Sequence, residues 1–469
     1  MLFNSYAYLL LFLPTVVAVF FLLNYFASAV FAKAWLVAAS LAFYSWWGLA
    51  YLPLIIISIF INYCVGTVLG TTRLSPFNRT ALLTAGIGFN VGLLAYFKYA
   101  NFLVDNINSV AGTSFQLDRI VLPLAISFFT FQKIAYLVDS YRGETQGYNF
   151  LNYALFVTFF PQLIAGPIVH HKEVVPQFSD PKNSLLNSAN VMTGLSILSI
   201  GLFKKVMIAD TFAVYASAGF DTGDALRCIE AWTASLGYSF QLYFDFSGYT
   251  DMAIGSALIL NIRLPINFNS PYRAINIQDF WRRWHITLSR FLRDYVYIPL
   301  GGNKSGELST YFNLFLTFLV GGLWHGASWT FVIWGGLHGA AIVIHRAWSR
   351  YGRHMPVALA WFLTFSFVNV AWVFFRAKDL KSAHRVLSSM MNIGDGSLLK
   401  MFDLQQRNGT LLIGLGFAIV LFAKTTIEFC TDAQHLDKTT VVSGAALAIS
   451  LIAMSFVTSG VSEFLYFNF

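Results

Sequence analysis

Apolar stretches long enough to cross a membrane recur along the whole chain. A helix needs about 20 apolar residues to cross the hydrocarbon core of a bilayer. Several stretches are shorter, or are interrupted by Gly and Pro, so the pattern predicts roughly ten to thirteen passes or half-passes. The predicted segments are approximately 6–31, 34–47, 51–70, 80–99, 120–138, 150–168, 190–216, 231–261, 308–324, 329–345, 356–375, 409–430 and 440–460.

The composition indicates an integral membrane protein and excludes an ordinary soluble one. Of the 469 residues, 57% are hydrophobic and 11% are charged, and the mean hydropathy is +0.62. Soluble domains carry about 25% charged residues. The three cysteines, Cys64, Cys228 and Cys430, have neither disulfide nor zinc spacing. We therefore predict one all-α domain over 1–469, a polytopic transmembrane helical bundle with broken or re-entrant helices and without a metal site.

The distribution of basic residues predicts the orientation of the chain. Lys and Arg gather between apolar segments, which indicates loop charge rather than a nucleic-acid surface, despite a net charge of +8. The positive-inside rule places the densest basic stretch, 263–304, in the cytosol. The loop 376–408 then lies outside, against that rule, but it is long and also carries three aspartates. Two further crossings place the C-terminal "SEFLYFNF" outside.

The stretch 277–301 is too charged to span a bilayer, yet it has an apolar helical face that includes His285. Arginines occupy the opposite face. The pattern predicts one amphipathic helix at a membrane surface or in a protein-lined hollow, ended by Pro299 and paired glycines. The apolar face consists of Trp281, Trp284, Leu288, Phe291, Leu292 and Tyr295.

His325 lies within "GGLWHGASW", in one of the most apolar parts of the chain. An intramembrane histidine needs a hydrogen-bond partner or a wet cavity, and is by default a functional candidate. Gly321, Gly322 and Gly326 permit close backbone approach and are expected to break the helix near mid-membrane. The alternative is a structural histidine bonded to a neighbouring helix, because glycine is also common at helix contacts.

Other polar side chains in apolar surroundings give weaker functional signals. His285 is either functional or a polar residue hidden at the seam of its helix. Asp245 and Asp251 lie in the apolar run 231–261 and are expected to tie helices together by bonding Tyr or Arg, or alternatively to orient a catalytic histidine. His338 and His345 are expected in core or interfacial positions, and His170 and His171, at the end of an apolar segment, are expected at the interface.

A buried histidine without a metal pattern, a phosphate-binding loop or a Ser-His-Asp pattern suits acyl transfer to a hydroxyl. An imidazole can remove the alcohol proton while the acyl carbonyl is attacked. Seclusion from water would protect an acyl intermediate from hydrolysis. Three alternatives remain open: acylation of a lipid or lipid-linked sugar within the membrane, a transporter with a site at the broken helix, and a non-enzymatic scaffold.

Two motifs, "FWRRWHITLSRFLRDYVYIPLGGN" and "GGLWHGASWTFVIWGGLHG", resemble the membrane-bound O-acyltransferase family, specifically its bacterial polysaccharide O-acetyltransferase branch. "FFPQLIAGPIVHH" and "YSFQLYFDFSGYTDMAIG" resemble the same branch. The resemblance implies a catalytic core over approximately 120–345 and a central funnel in which access from both membrane faces meets near His325.

The resemblance also implies roles for individual residues. His325 matches the histidine of the family's Trp-His-Gly motif, and His285 matches the second family histidine. Acetyl-CoA would donate from the cytosol, without a bound cofactor, to a secreted polysaccharide of alginate or cellulose type, reached through a periplasmic acetyltransferase-like or esterase-like partner. The candidate donor-binding residues are Arg282, Arg283, Arg290 and Trp324, although the arginines also suit lipid headgroups. The candidate supporting residues are Asp245, Asp251 and Asp294.

The C-terminal "FLYFNF", at 464–469, resembles a Phe-x-Tyr motif at the end of cell-envelope acylation proteins. Carried over, Tyr466 would hold the acyl group covalently after activation by His325. A phenyl ester is more activated than a sugar ester, because a phenol has a pKa near 10, so onward transfer is favourable. The alternative is an aromatic belt at the membrane interface.

Overall fold

The computed structural model describes residues 1–71, 75–145, 147–164, 166–352, 355–392, 404–433 and 464–465. These residues form helices and connecting segments, and none of them lies in a strand, which confirms the all-α prediction. Within the same residues, five helical stretches are long and apolar enough to cross a membrane. They are Ala7–Phe26, Leu49–Leu69, Pro76–Ala111, Ser188–Phe220 and Val357–Arg376.

The chain forms two compact units. Of the described residues, unit 1 contains Met1–Ser199 and Tyr249–Pro265, and unit 2 contains Ile200–Gly248 and the described residues from Ile266 onward. The helices up to the middle of the chain are α1 (Leu13–Phe26), α2 (Ala29–Ser45), α3 (Leu52–Leu69), α4 (Pro76–Leu94), α5 (Ala100–Ala111), α6 (Ile126–Tyr141), α7 (Phe150–Thr158), α8 (Phe160–Leu163), α9 (His171–Ser179) and α10 (Ser188–Phe203). They are followed by α11 (Asp210–Phe220), α12 (Cys228–Ile259), α13 (Ile277–Arg283), α14 (Ile286–Leu292), α15 (Glu307–His325), α16 (Trp329–Arg350), α17 (Val357–Arg376), α18 (Leu380–Met391), α19 (Leu404–Phe422) and α20 (Thr426–Ala433).

Short polar residues between apolar runs set several helix starts. The side chains of Ser75, Asn149, Asn276, Ser328 and Asp379 each accept a hydrogen bond from a backbone N–H in the first turn of the helix that follows. These N–H groups have no partner within the helix, so a side-chain acceptor stabilises the start. These capping residues are the reason that new helices begin at these points of the hydropathy pattern.

In unit 1, an amide pair and a carboxylate cluster connect helices across the apolar interior. Asn62 in α3 and Asn90 in α4 exchange side-chain hydrogen bonds of 3.2 and 2.6 Å, and both are buried. The reciprocal pair satisfies the polar atoms of both amides where water is excluded. Asp139, near the end of α6, meets the two histidines at the start of α9, as described below.

In unit 2, α15 and α16 form a hairpin whose backbones approach closely at glycine. A Cβ atom on Gly335 would lie 2.6 Å from the carbonyl oxygen of Phe318 and 3.0 Å from the Cα of Gly322. A Cβ atom on Gly322 would lie 2.4 Å from the carbonyl oxygen of Phe331. Small residues at such contacts allow helices to pack at short range in a membrane protein. The hairpin fixes α15, which ends at His325.

The predicted single helix over 277–301 is wrong. The structure divides it into α13 and α14, with a short turn at Trp284 and His285 between them. His285 has a left-handed backbone, with φ of 43°. The apolar residues of the predicted face, except Tyr295, are nevertheless buried. The periodicity therefore identified the buried side chains correctly, while the backbone that carries them is broken.

We predict that Gly335→Val will destabilise the protein by roughly 1–3 kcal/mol, the typical cost of overpacking a close contact. The atoms that block the new side chain belong to backbone, so they cannot move aside cheaply. The measurement is thermal unfolding of the detergent-purified protein, followed by tryptophan fluorescence. Gly336→Ala is the matched control, because the nearest atom to its added Cβ, Phe315 Cζ, is 4.0 Å away. An equal effect of both substitutions would contradict the close contact.

Candidate active site

His325 is the last residue of α15, and the chain leaves the helix directly after it. Gly326 is extended, with φ of −166°, and Ser328 caps the start of α16. A Cβ on Gly326 would overlap the ring of Phe331, so a larger residue at this point would force that ring to shift. The expected helix break therefore occurs at Gly326, whereas α15 continues unbroken through Gly321 and Gly322.

The His325 imidazole is enclosed by aromatic rings. Its side chain is buried, and its ring centroid is 5.0 Å from that of Trp334 and 5.0 Å from that of Phe375, both with steeply inclined planes. The adjacent Trp324 ring is 4.8 Å away. These neighbours come from α15, α16 and α17, so three helices determine the position of one ring. Such packing fixes a catalytic group in one geometry.

His285 is held in place by the loop that precedes α13. The Asn267 carbonyl oxygen accepts from the N–H of Ile286 at 3.0 Å, and the Asn267 side-chain oxygen accepts from the Thr287 hydroxyl at 3.0 Å. These bonds support the left-handed backbone of His285, which is uncommon for a residue with a Cβ. The His285 ring packs against Phe246 at 4.8 Å. Burial lowers the pKa of His285 to about 3, so the ring is neutral at physiological pH.

The structure brings the two histidines together. The ring centroids of His285 and His325 are 6.5 Å apart, although the residues belong to different motifs. Trp324 contacts both rings, at 6.1 Å from His285 and 4.8 Å from His325. Two imidazoles at this separation can contact one substrate group, and one of them can exchange a proton with it. Their catalytic roles, and the funnel expected around them, stay predictions.

The predicted donor-binding arginines lie on the short helices α13 and α14. Arg282 is exposed, while Arg283 forms an ion pair of 2.8 Å with Asp279 one turn earlier. Arg290 is partly buried in the last turn of α14. Asp294, expected to support the site, pairs with the neighbouring Arg293 at 2.7 Å.

Asp245 has a different partner from those expected. Asp245 pairs with Lys205 at 2.6 Å, rather than with Tyr or Arg. The side chain of Lys205 is only 4% exposed and also lies 2.8 Å from Asp210. The pairing was not predicted, although a lysine within the apolar run 190–216 is a signal for a buried partner. Asp251 is buried in unit 1.

His338 is a core histidine, as expected. Its ring is fully buried, and its Nδ1 accepts a hydrogen bond of 3.2 Å from the indole N–H of Trp281. The ring also packs against Trp334 at 4.8 Å. His345, about two turns further along α16, is partly exposed. His338 thus helps to pack the aromatic cluster that surrounds His325.

His170 and His171 form a hydrogen-bonded cluster with Asp139 in unit 1. One oxygen of Asp139 lies 2.8 Å from His170 Nε2 and 3.0 Å from His171 Nε2. The backbone N–H of Lys172 donates to His170 Nδ1, and the Tyr148 hydroxyl lies 3.0 Å from His171 Nδ1. The ligand-type atoms lie within 4.8 Å of one another, close enough for a metal ion. However, an acceptor Nδ1 on His170 places the proton of the neutral ring on Nε2, where it donates to the carboxylate.

Tyr466, the predicted acyl carrier, lies outside the described residues. The two residues directly before it are described. Phe464 is buried against Phe246, and the Leu465 N–H donates to Asp245 at 3.0 Å. Both of these residues belong to unit 2.

We predict that His285→Gln will make the protein less sensitive to acid. The pKa of His285 is near 6.5 when unfolded and about 3 when folded, so the unfolded state binds more protons below pH 6.5. Stability is therefore lost as pH falls through that window, by roughly 2 kcal/mol between pH 7 and pH 5 for this one group. The measurement compares thermal unfolding midpoints at both pH values. His384→Gln, which removes an exposed imidazole, should keep the wild-type loss, and an unchanged loss in His285→Gln would refute the argument.

Comparison with known proteins identifies the family of this chain. The model of the MBOAT, membrane-bound O-acyltransferase family, matches residues 3–381. The chain is 47% identical to a peptidoglycan O-acetyltransferase of Helicobacter pylori, over 100% of this chain and 98% of the relative. It is 40% identical to "Probable alginate O-acetylase AlgI" of Pseudomonas putida, over 100% of both chains.

A more distant relative, a teichoic acid D-alanyltransferase of Bacillus subtilis, is 28% identical over 56% of this chain and 70% of its own length. The family model covers most of the chain, including both histidine motifs. The chain is thus a multi-pass membrane O-acyltransferase that belongs to the membrane-bound O-acyltransferase family.

Proposed function

We propose that this protein transfers acetyl groups from cytosolic acetyl-CoA toward hydroxyl groups of a polysaccharide outside the bacterial inner membrane. The observation that carries the proposal is the 6.5 Å separation of His285 and His325 within a buried aromatic cluster. The names of the H. pylori and P. putida relatives support acetyl as the transferred group and a polysaccharide as the final acceptor. The basic stretch 263–304 supports a cytosolic position for the loops around His285.

His325 acts as the general base. Its imidazole takes the proton from the attacking hydroxyl as the oxygen bonds to the thioester carbonyl, and the carbon–sulfur bond then breaks. The thiolate of CoA leaves and takes up the proton. Trp324 and His285 border this ring and position the reacting carbonyl. Arg282, Arg283 and Arg290 attract the phosphates of the donor, which guanidinium groups bind well.

Tyr466 is the first acceptor in this scheme. Its phenol attacks the thioester, and the resulting phenyl ester carries the acetyl group to the outer side of the membrane. A hydroxyl of a periplasmic partner then attacks the ester, and the phenol is released with a proton. The placement of the C-terminus outside, from the charge pattern, and the docking of Phe464 and Leu465 in unit 2 support this step.

The test is incubation of the purified protein with acetyl-CoA that carries a radiolabelled acetyl group. We expect covalent label on Tyr466 in the wild type, no label in Tyr466→Phe, and a labelling rate about 100-fold or more lower in His325→Ala, the usual contribution of a general base. His384→Ala is the control and should label normally. Equal labelling of Tyr466→Phe would remove the tyrosine from the scheme, and equal labelling of His325→Ala would remove the base.

The acceptor is identified separately, in cells that carry His325→Ala or the wild-type gene. Mild base releases acetate from O-acetylated peptidoglycan and from secreted polysaccharide, and the two fractions are assayed in parallel. Loss of acetate from one fraction identifies the polymer. Loss from a lipid fraction alone would instead support acylation of a lipid within the membrane.

A further inference from the structure

A buried ion pair in unit 2 contacts the last described residues of the chain. Asp245 in α12 is 1% exposed, and the Lys205 side chain is 4% exposed. Their charged atoms are 2.6 Å apart, and Asp210 lies 2.8 Å from the same lysine nitrogen. Charges are rarely buried in a membrane protein without a functional reason.

The two oxygens of Asp245 have different partners. Oδ1 faces Lys205, whereas Oδ2 accepts a hydrogen bond of 3.0 Å from the backbone N–H of Leu465. The lysine therefore orients the carboxylate, and the carboxylate binds the C-terminal segment through its main chain. A backbone contact fixes the register of the segment without depending on the Leu465 side chain.

Phe464 provides a second anchor, directly before this hydrogen bond. Its side chain is 1% exposed, and its ring centroid is 5.7 Å from that of Phe246. Phe246 lies one position after Asp245 in α12, and its ring also packs against the His285 ring, at 4.8 Å. The bound segment is thus connected to the histidine pair through a single aromatic ring.

We infer that Lys205, Asp245 and Phe246 form a receptor for the C-terminal segment, here named the tail clasp, and that its members are positioning residues for Tyr466. The inference rests on the proposed function. Tyr466 is joined by one peptide bond to Leu465, whose N–H the clasp binds. The clasp therefore restricts the positions that the phenol can occupy while it attacks the thioester. The clasp takes no part in bond making; it sets the effective concentration of the acceptor.

Docking is tested without acyl transfer, by digestion of the purified full-length protein with carboxypeptidase Y, which also releases proline, and mass spectrometry of the products. In the wild type, we expect digestion from the C-terminus to stop with Leu465 still attached. Leu465→Pro removes the N–H donor without changing α12, and Asp245→Asn weakens the pairing with Lys205. In both variants, digestion should proceed past Phe464.

Two controls separate loss of the clasp from loss of the fold. Leu465→Ala keeps the backbone donor and should be protected like the wild type. Asp221→Asn removes an unrelated ion pair of unit 2, with Arg376, and should also be protected. Thermal unfolding of Leu465→Pro should stay cooperative, as in Leu465→Ala, with at most the small decrease in midpoint that follows from one lost hydrogen bond.

The acyl-transfer test uses the same variants with radiolabelled acetyl-CoA. Labelling of Tyr466 should fall about 100-fold in Leu465→Pro, the scale of loss when a reacting group is misplaced, and should stay normal in Leu465→Ala. Wild-type protection and labelling in both Leu465→Pro and Asp245→Asn would overturn the clasp. Protection that depends on Asp245, in a wild type that never becomes labelled, would instead support the clasp and refute the acyl-carrier step.

Discussion

The close contact between α15 and α16 is the constraint on which the candidate active site depends. At Gly322 and Gly335 the two backbones leave no room for a Cβ atom. This contact sets the rotation and depth of α15, and His325 is the terminal residue of that helix. The aromatic rings around His325 come partly from α16 itself, through Trp334. A change in the helix contact would therefore move both the imidazole and the rings that enclose it.

The helical membrane fold was predictable from the sequence, because a long apolar stretch is buried in lipid or in protein in any tertiary arrangement. The sequence also predicted which side chains of 277–301 are buried, including Trp284 and Leu288. The break at His285 was not predictable from periodicity. It depends on hydrogen bonds to Asn267, 18 positions earlier, and the apolar spacing continues through the break as if the helix were intact.

Which polar residues pair across long distances in the chain was also not predictable from the sequence. Lys205 and Asp245 are separated by 40 positions, and either could have had another partner. The proximity of His285 and His325 was expected only from the family resemblance, since no spacing rule joins two motifs across a loop and a helix. In contrast, the glycines of "GGLWHGASW" indicated close backbone approach in advance, because few other causes place three glycines around one buried histidine.

The immobility of His325 has a consequence for how an acyl group would cross the membrane. A ring at the end of a helix locked by backbone contact, with tryptophan on one side and phenylalanine on another, cannot swing between two openings. In the proposed scheme the general base is therefore stationary, and the acyl group is what moves. In this respect the protein differs from an alternating-access carrier: it would need no large reorientation of its helices, only a short excursion by whatever molecule holds the group.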